Sequence, residues 1–124
     1  MSDALILLAH GSSDPRWRAP FERLAEALAE RLATPLRLAY MELCDPSLED
    51  TVAELAAAGV ERAEILPLFF SAGRHLRRDV PGQVAALGEA HPDLALTLLP
   101  PVGEHPAFAE ALATVIAEQA GEAR

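Results

Sequence analysis

The chain contains no lysine: its ten basic residues are all arginine, set against 19 acids, for a formal charge of −9. It has one cysteine, Cys44, and only 5% aromatic residues. Each shortage excludes something. A lone cysteine forbids an intrachain disulfide and leaves no CxxC pair for zinc or thiol redox chemistry. It also makes a reducing cytoplasm the natural compartment. The charge deficit argues against nucleic acid, which calls for several phosphate contacts and usually a basic domain. The longest apolar runs, such as ALILLA (Ala4–Ala9), are too short to cross a bilayer. The opening MSDAL lacks the basic region of a signal peptide. No GxxxxGK[ST] phosphate loop and no GxGxxG fingerprint occur. HGSS lacks the GxSxG nucleophile elbow.

What is present is a chain of 124 residues, 51% apolar, which fits a single globular domain over residues 1–124. Apolar runs alternate with helical patterns. DALILLA (Asp3–Ala9) reads as a buried parallel strand. Asp14 and Pro15 give a helix start, and Phe21, Leu24, Leu28 and Leu32 then share one face. LRLAYMEL (Leu36–Leu43) reads as strand two. The next helix opens at Asp45 as N-cap and closes at Gly59. AEILPLFF (Ala63–Phe70) reads as strand three, with Pro67 near its carboxyl end because proline cannot donate to a central ladder. Asp79 and Pro81 read as the start of a third helix carrying Val80, Val84 and Leu87. Strand four is LALTLLP (Leu94–Pro100), and a last helix runs from Pro106 with Phe108, Leu112 and Val115 on one face.

This alternation predicts an α/β fold: a four-stranded parallel sheet flanked by helices, a flavodoxin-like three-layer sandwich with strand order 2-1-3-4. In that order the chain reverses direction between strands one and three, and ligands bind outside the carboxyl ends of strands at such a switch point.

The strand order selects the residues that can carry chemistry. His10 ends strand one in LLAHGSS, and His75 lies just past strand three in SAGRHLRRD. Two imidazoles converging there can both bind a divalent metal, or one can bind while the other moves protons. Glu42, at the end of strand two, fits a third ligand, a carboxylate that orients a histidine or accepts its proton, or a solvated loop acid. Ser12 and Ser13 could donate to a substrate carboxylate or cap a helix. Gly11 and Gly73 allow tight turns and close approach of the backbone to a ligand. His91, His105 and Cys44 are weaker candidates: His91 sits at the amino end of strand four, His105 is further from the switch point, and Cys44 reads as a small half-buried residue. Half of the arginines fall in two short stretches, Arg16 with Arg18 and Arg74 with Arg77 and Arg78. Their planar forks suit carboxylate and phosphate groups.

These residues resemble a known family, the sirohydrochlorin chelatases of the small CbiX type, related to the SirB ferrochelatases. The resemblance covers nearly the whole chain. It rests on LLAHGSSDPR (7–16), MELCDPSLEDTV (41–52), ILPLFFSAGRHLRRDVP (65–81) and PPVGEHPAFAE (100–110). The first and third stretches, in this order and at this separation, are the specific ones.

The resemblance implies a chelatase-like α/β fold and insertion of a divalent metal (Co²⁺, Fe²⁺ or Ni²⁺) into sirohydrochlorin without ATP, on the way to cobalamin, siroheme or a nickel tetrapyrrole. It implies that His10 and His75 are the active-site histidines, that no cofactor is held permanently, and that the chain pairs as a homodimer. The histidine-rich segment of some members is absent here.

The residues fit that chemistry. Metal insertion removes two pyrrole protons and delivers a partly dehydrated cation to one face of the ring. An imidazole, whose ordinary titration lies near pH ~6.5, suits either task, and Glu42 is an alternative base. Sirohydrochlorin is a polycarboxylate, so an acidic protein must focus positive charge at the cleft mouth. Arg74, Arg77 and Arg78, with Arg16 and Arg18, can supply it. Three rivals use the same residues differently: a non-catalytic metal or tetrapyrrole carrier, a phosphate- or carboxylate-handling hydrolase, and a flavodoxin-like interaction module. Against the hydrolase, Ala9 stands where an RHG triplet would place its arginine.

Overall fold

The computed structural model describes residues 3–71 and 73–121, and the side chain of His75 lies outside the described part. Within it the chain runs β1 (Asp3–Ala9), α1 (Pro15–Arg31), β2 (Leu36–Tyr40), α2 (Leu48–Ala57), β3 (Arg62–Pro67), α3 (Arg74–Ala90), β4 (Ala95–Leu98), a short 3₁₀ turn (Val102–Glu104) and α4 (Pro106–Gln119). The four strands are parallel in the order β2-β1-β3-β4, as the sequence predicts.

β1 sits inside the sheet and is buried on both faces from Ile6 to Ala9, which is why it is apolar without alternation. On one face Ile6, Leu8 and Ile65 pack with Leu48, Val52 and Leu55 of α2 and Val80, Val84 and Leu87 of α3. On the other, α1 lies against β2 and the alternate residues Leu7, Ala9 and Tyr40 are buried. Cover on that face thins toward β4: Leu66 is half-buried, and Glu64 and Thr97, side by side in register, are exposed.

Several boundaries differ from the sequence reading: β3 ends at Pro67, three residues before Phe70, and β4 spans only Ala95–Leu98 of the expected Leu94–Pro100. β2 stops at Tyr40, three residues early. Leu43 has φ 69°, a left-handed conformation that no strand accommodates, and a cis Asp45–Pro46 bond follows. α2 is capped by Ser47, not Asp45: the Ser47 hydroxyl accepts from the Asp50 amide at 3.0 Å.

The largest difference is α3. It starts at Arg74 with Gly73 as N-cap, so Asp79 and Pro81 do not start it. Pro81 is interior and denies the Arg77 carbonyl its helical partner. Both residues are exposed, so water can take that bond. Pro67, expected near the carboxyl end of a strand running to Phe70, is the last residue of β3, in keeping with its missing amide.

Candidate active site

The carboxyl ends of β1 and β3 meet at the centre of the sheet, where the chain order reverses. His10 is the first residue after β1 and is exposed there. Parallel pairing continues beyond the strands: the Met41 amide donates to the Ala9 carbonyl at 2.9 Å, and the Glu42 amide to the His10 carbonyl at 3.1 Å. These bonds place Glu42, also exposed, on the loop beside His10.

Gly11 makes this closeness possible. Its φ is 99°, and a Cβ there would run into the Glu42 carbonyl. The close approach at this glycine is to the chain's own backbone, where the sequence reading expected a ligand. Gly73 is different. Its φ of −67° is open to any residue and the space around it is empty, so nothing in its geometry requires glycine.

The imidazole of His10 leans on the ring of Phe69, with centroids 4.3 Å apart and planes at 38°. Phe69 is buried. It also walls an apolar hollow of about 290 Å³ with Leu76, Arg77 and Val80 of α3, with Leu98 at the end of β4 and with Pro100 beyond it. Phe69 thus connects His10 to the first turns of α3. Sequence reasoning placed it only in strand three; the signal available was an aromatic pair at the carboxyl end of a central strand. Its neighbour Phe70 is 69% exposed and meets Phe108 edge-on at 5.2 Å.

On the α1 side His10 shares a recess of about 280 Å³ with Trp17, Arg18, Phe21 and Tyr40. Trp17 is 70% exposed, whereas Tyr40 is buried and its hydroxyl has no hydrogen-bond partner among the described residues. Burial, with Glu22 and Cys44 adding to it, raises the Tyr40 phenol above its ordinary pKa.

The segment after His10 is stitched to itself. The Ser12 hydroxyl accepts from the Asp14 amide at 3.0 Å, and Arg18 donates to the Ser12 carbonyl at 2.9 Å. Asp14 caps α1 by accepting from the Arg16 amide at 2.9 Å. The Arg16 guanidinium lies against the same carboxylate at 2.8 Å and holds it below the usual carboxylate range. Ser12 therefore serves the turn that leads into α1. Arg16, though exposed, already has an anion, and Ser13 is exposed.

The arginines of α3 are arranged differently. Arg74, Arg77 and Arg78 occupy its first two turns, all exposed, with no acid in the first turn. Among the described residues none of the three is held in an ion pair. Positive side chains oppose the helix dipole at this end, so they cost the helix some stability. In return, the dipole and the guanidinium groups add to one positive potential at the start of α3.

Residue 75 is the second residue of α3, which places its backbone in this cluster; its side chain lies outside the described residues. Among the described residues no three metal-ligating side chains converge. His105 has a structural task, since its Nδ1 accepts from the Ala107 amide at 3.0 Å and so caps α4. Cys44 is a half-buried free thiol, as expected.

The CbiX family model matches residues 4–119, and the chain belongs to that family. It is 34% identical over 79 residues to the sirohydrochlorin cobaltochelatase of Methanopyrus kandleri, a match covering 63% of this chain and 55% of that one. The chain spans about half the length of the curated relatives it matches.

Among solved structures, a cobalamin (vitamin B12) biosynthesis CbiX protein from Marinobacter aquaeolei superposes with a TM-score of 0.88 at 41% identity, covering 98% of this chain and 99% of that one. SirB from Bacillus subtilis, in a complex with cobalt, superposes with a TM-score of 0.82 at 18% identity, covering 95% of this chain and 51% of that one. At that identity the second likeness shows the fold.

Proposed function

We propose that this protein inserts a divalent metal, Co²⁺ or Fe²⁺ and by the same chemistry Ni²⁺, into sirohydrochlorin without ATP. The observation that carries the reading is His10 at the β1/β3 switch point, bonded through its backbone to the Glu42 loop and stacked on a ring that leads to the arginine-rich start of α3. Family membership supports it, as do relatives named for cobalt insertion and for iron insertion.

In this reading His10 and His75 hold the incoming metal at the cleft, and Glu42 is the third ligand or the group that takes a pyrrole proton. Imidazole nitrogens suit Co²⁺, Ni²⁺ and Fe²⁺, and neutral rings can exchange their metal bond for a ring nitrogen. Arg74, Arg77 and Arg78 engage the carboxylates of the macrocycle, with Ser12, Ser13, Gly73 and Arg16 at the edges of its site. The apolar flat of the ring finds matching surface in the exposed Trp17 and in the hollow lined by Phe69. The protein acts in the cytoplasm as a homodimer, and the metal is a substrate, not a resident cofactor.

The test is multiple-turnover insertion. Protein, sirohydrochlorin in excess and Co²⁺, Fe²⁺ or Ni²⁺ are mixed side by side and the absorption spectrum is followed. Many turnovers per chain are expected. A spectral change that stops at one equivalent identifies a carrier instead.

A further inference from the structure

The three most exposed large apolar side chains among the described residues are Trp17, Phe70 and Leu43, at 70%, 69% and 68%. Singly exposed apolar residues are ordinary on a protein surface. These three are not scattered. Trp17 lies in the first turn of α1, which follows β1; Leu43 follows β2, and Phe70 follows β3. All three therefore stand at the carboxyl edge of the sheet, on the segments that leave β1 and the two strands beside it. His10 leaves β1 at the same edge.

Two of the three are held in place at a cost. Leu43 has φ 69°, a backbone conformation that disfavours most side chains and that glycine or asparagine adopts more readily. Phe70 is braced from two sides. The Gly103 amide donates to the Phe69 carbonyl at 2.9 Å, and a Cβ at position 103 would run into the Phe70 backbone. The Phe70 ring meets Phe108 of α4 edge-on at 5.2 Å. Bracing an aromatic ring while leaving most of it in water adds little to folding. It does pre-organise a contact surface, and strained backbone gathers at such places.

What covers this rim follows from what surrounds it. Adjacent strands lie about 4.8 Å apart, so the segments after β2, β1 and β3 span about 10 Å. The occupant is broad and presents an apolar face. Arg74, Arg77 and Arg78, in no ion pair among the described residues, begin the helix that follows Phe70, so the occupant is anionic at its periphery. A flat polycarboxylate macrocycle has both properties.

We propose that Trp17, Leu43 and Phe70 are the apolar contacts that hold the flat of the tetrapyrrole over His10, with Phe70 as the fixed platform. This rests on the metal-insertion reading above and names further residues that position its substrate. The arginines attract the ring from a distance, through a force that salt screens; the rim acts on contact, through one that salt does not screen.

Binding of metal-free sirohydrochlorin tests the assignment, followed by quenching of Trp17, the single tryptophan of the chain. Phe70→Ala should raise Kd about tenfold, equally at low and moderate salt, and Phe70→Tyr should restore it to within about twofold. Leu43→Asn should raise Kd about threefold while its denaturation midpoint stays level or rises, because asparagine accepts the left-handed backbone. A merely structural role for Leu43 would not move affinity and stability in opposite directions. Wild-type affinity in both Phe70→Ala and Leu43→Asn, with the ring still bound and metallated, overturns the rim and leaves the insertion reading intact; this includes the case in which the rim meets another protein. A loss that tracks unfolding of Phe70→Ala and is absent from Leu43→Asn also overturns it. A wild-type chain that does not bind sirohydrochlorin overturns both readings.

Discussion

The backbone amide of Glu42 donates to the carbonyl of His10 at 3.1 Å, one step beyond the last paired residues of β1 and β2. This bond makes two loops into one platform, and Gly11 is its hinge. A Cβ at position 11 would both collide with the Glu42 carbonyl and force a side chain into φ 99°. Gly11→Ala should therefore lower stability by about 2 kcal/mol or more and reduce metal insertion beyond what the unfolded fraction explains. Denaturant titration and turnover on the same preparation check both parts.

His10→Ala removes a ring from the surface of Phe69 and should cost less than about 1 kcal/mol of stability. Insertion should fall by about 100-fold or more. His75→Ala should behave alike, with an unchanged circular dichroism spectrum. Near-normal turnover by either variant removes that histidine from the mechanism.

Arg77 and Arg78 are exposed on α3, whereas Arg16 already faces the carboxylate of Asp14. The double change of Arg77 and Arg78 to Ala should raise KM for sirohydrochlorin about tenfold, with a smaller fall in kcat, and should flatten the dependence of kcat/KM on ionic strength. Arg16→Ala should raise KM less. Steady-state kinetics at two salt concentrations distinguishes the two; equal effects would mean that the Asp14 pairing does not occupy Arg16.

Tyr40 is buried, its hydroxyl has no partner among the described residues, and burial raises its phenol pKa above the ordinary value of 10.0. Below pH 10 both folded and unfolded chains keep this proton and its effect on stability is constant. As pH rises further the unfolded chain loses the proton first, and stability falls until the folded chain also ionises. Tyr40→Phe should remove that part of the alkaline fall. At neutral pH it should be neutral or stabilising by up to about 1 kcal/mol, because no hydrogen bond is lost. Chemical denaturation at pH 7 and above pH 10 measures both effects.

The alternation of apolar runs with helical faces is local information, and it determined the parallel sheet, its order and the end of the sheet at which His10 lies. Pro67 marked the neighbourhood of the end of β3, because a missing amide is a property of the residue itself, although the apolar Leu68–Phe70 made the strand look three residues longer. Local signals failed where packing competes with them. Asp79 and Pro81 look like a helix start, but Leu76 and Val80 pack on the core and draw α3 back to Arg74, and an exposed proline is tolerated within it. Only the tertiary structure decided that Gly11 faces the Glu42 carbonyl, that His10 rests on Phe69, and that Arg16 is ion-paired while, among the described residues, the arginines of α3 are not. These are meetings between residues from different strands and loops, and no periodicity records them. The sequence showed α4 as an apolar-faced helix; the fold decided that Phe108 of this face meets Phe70 while Val115 stays exposed.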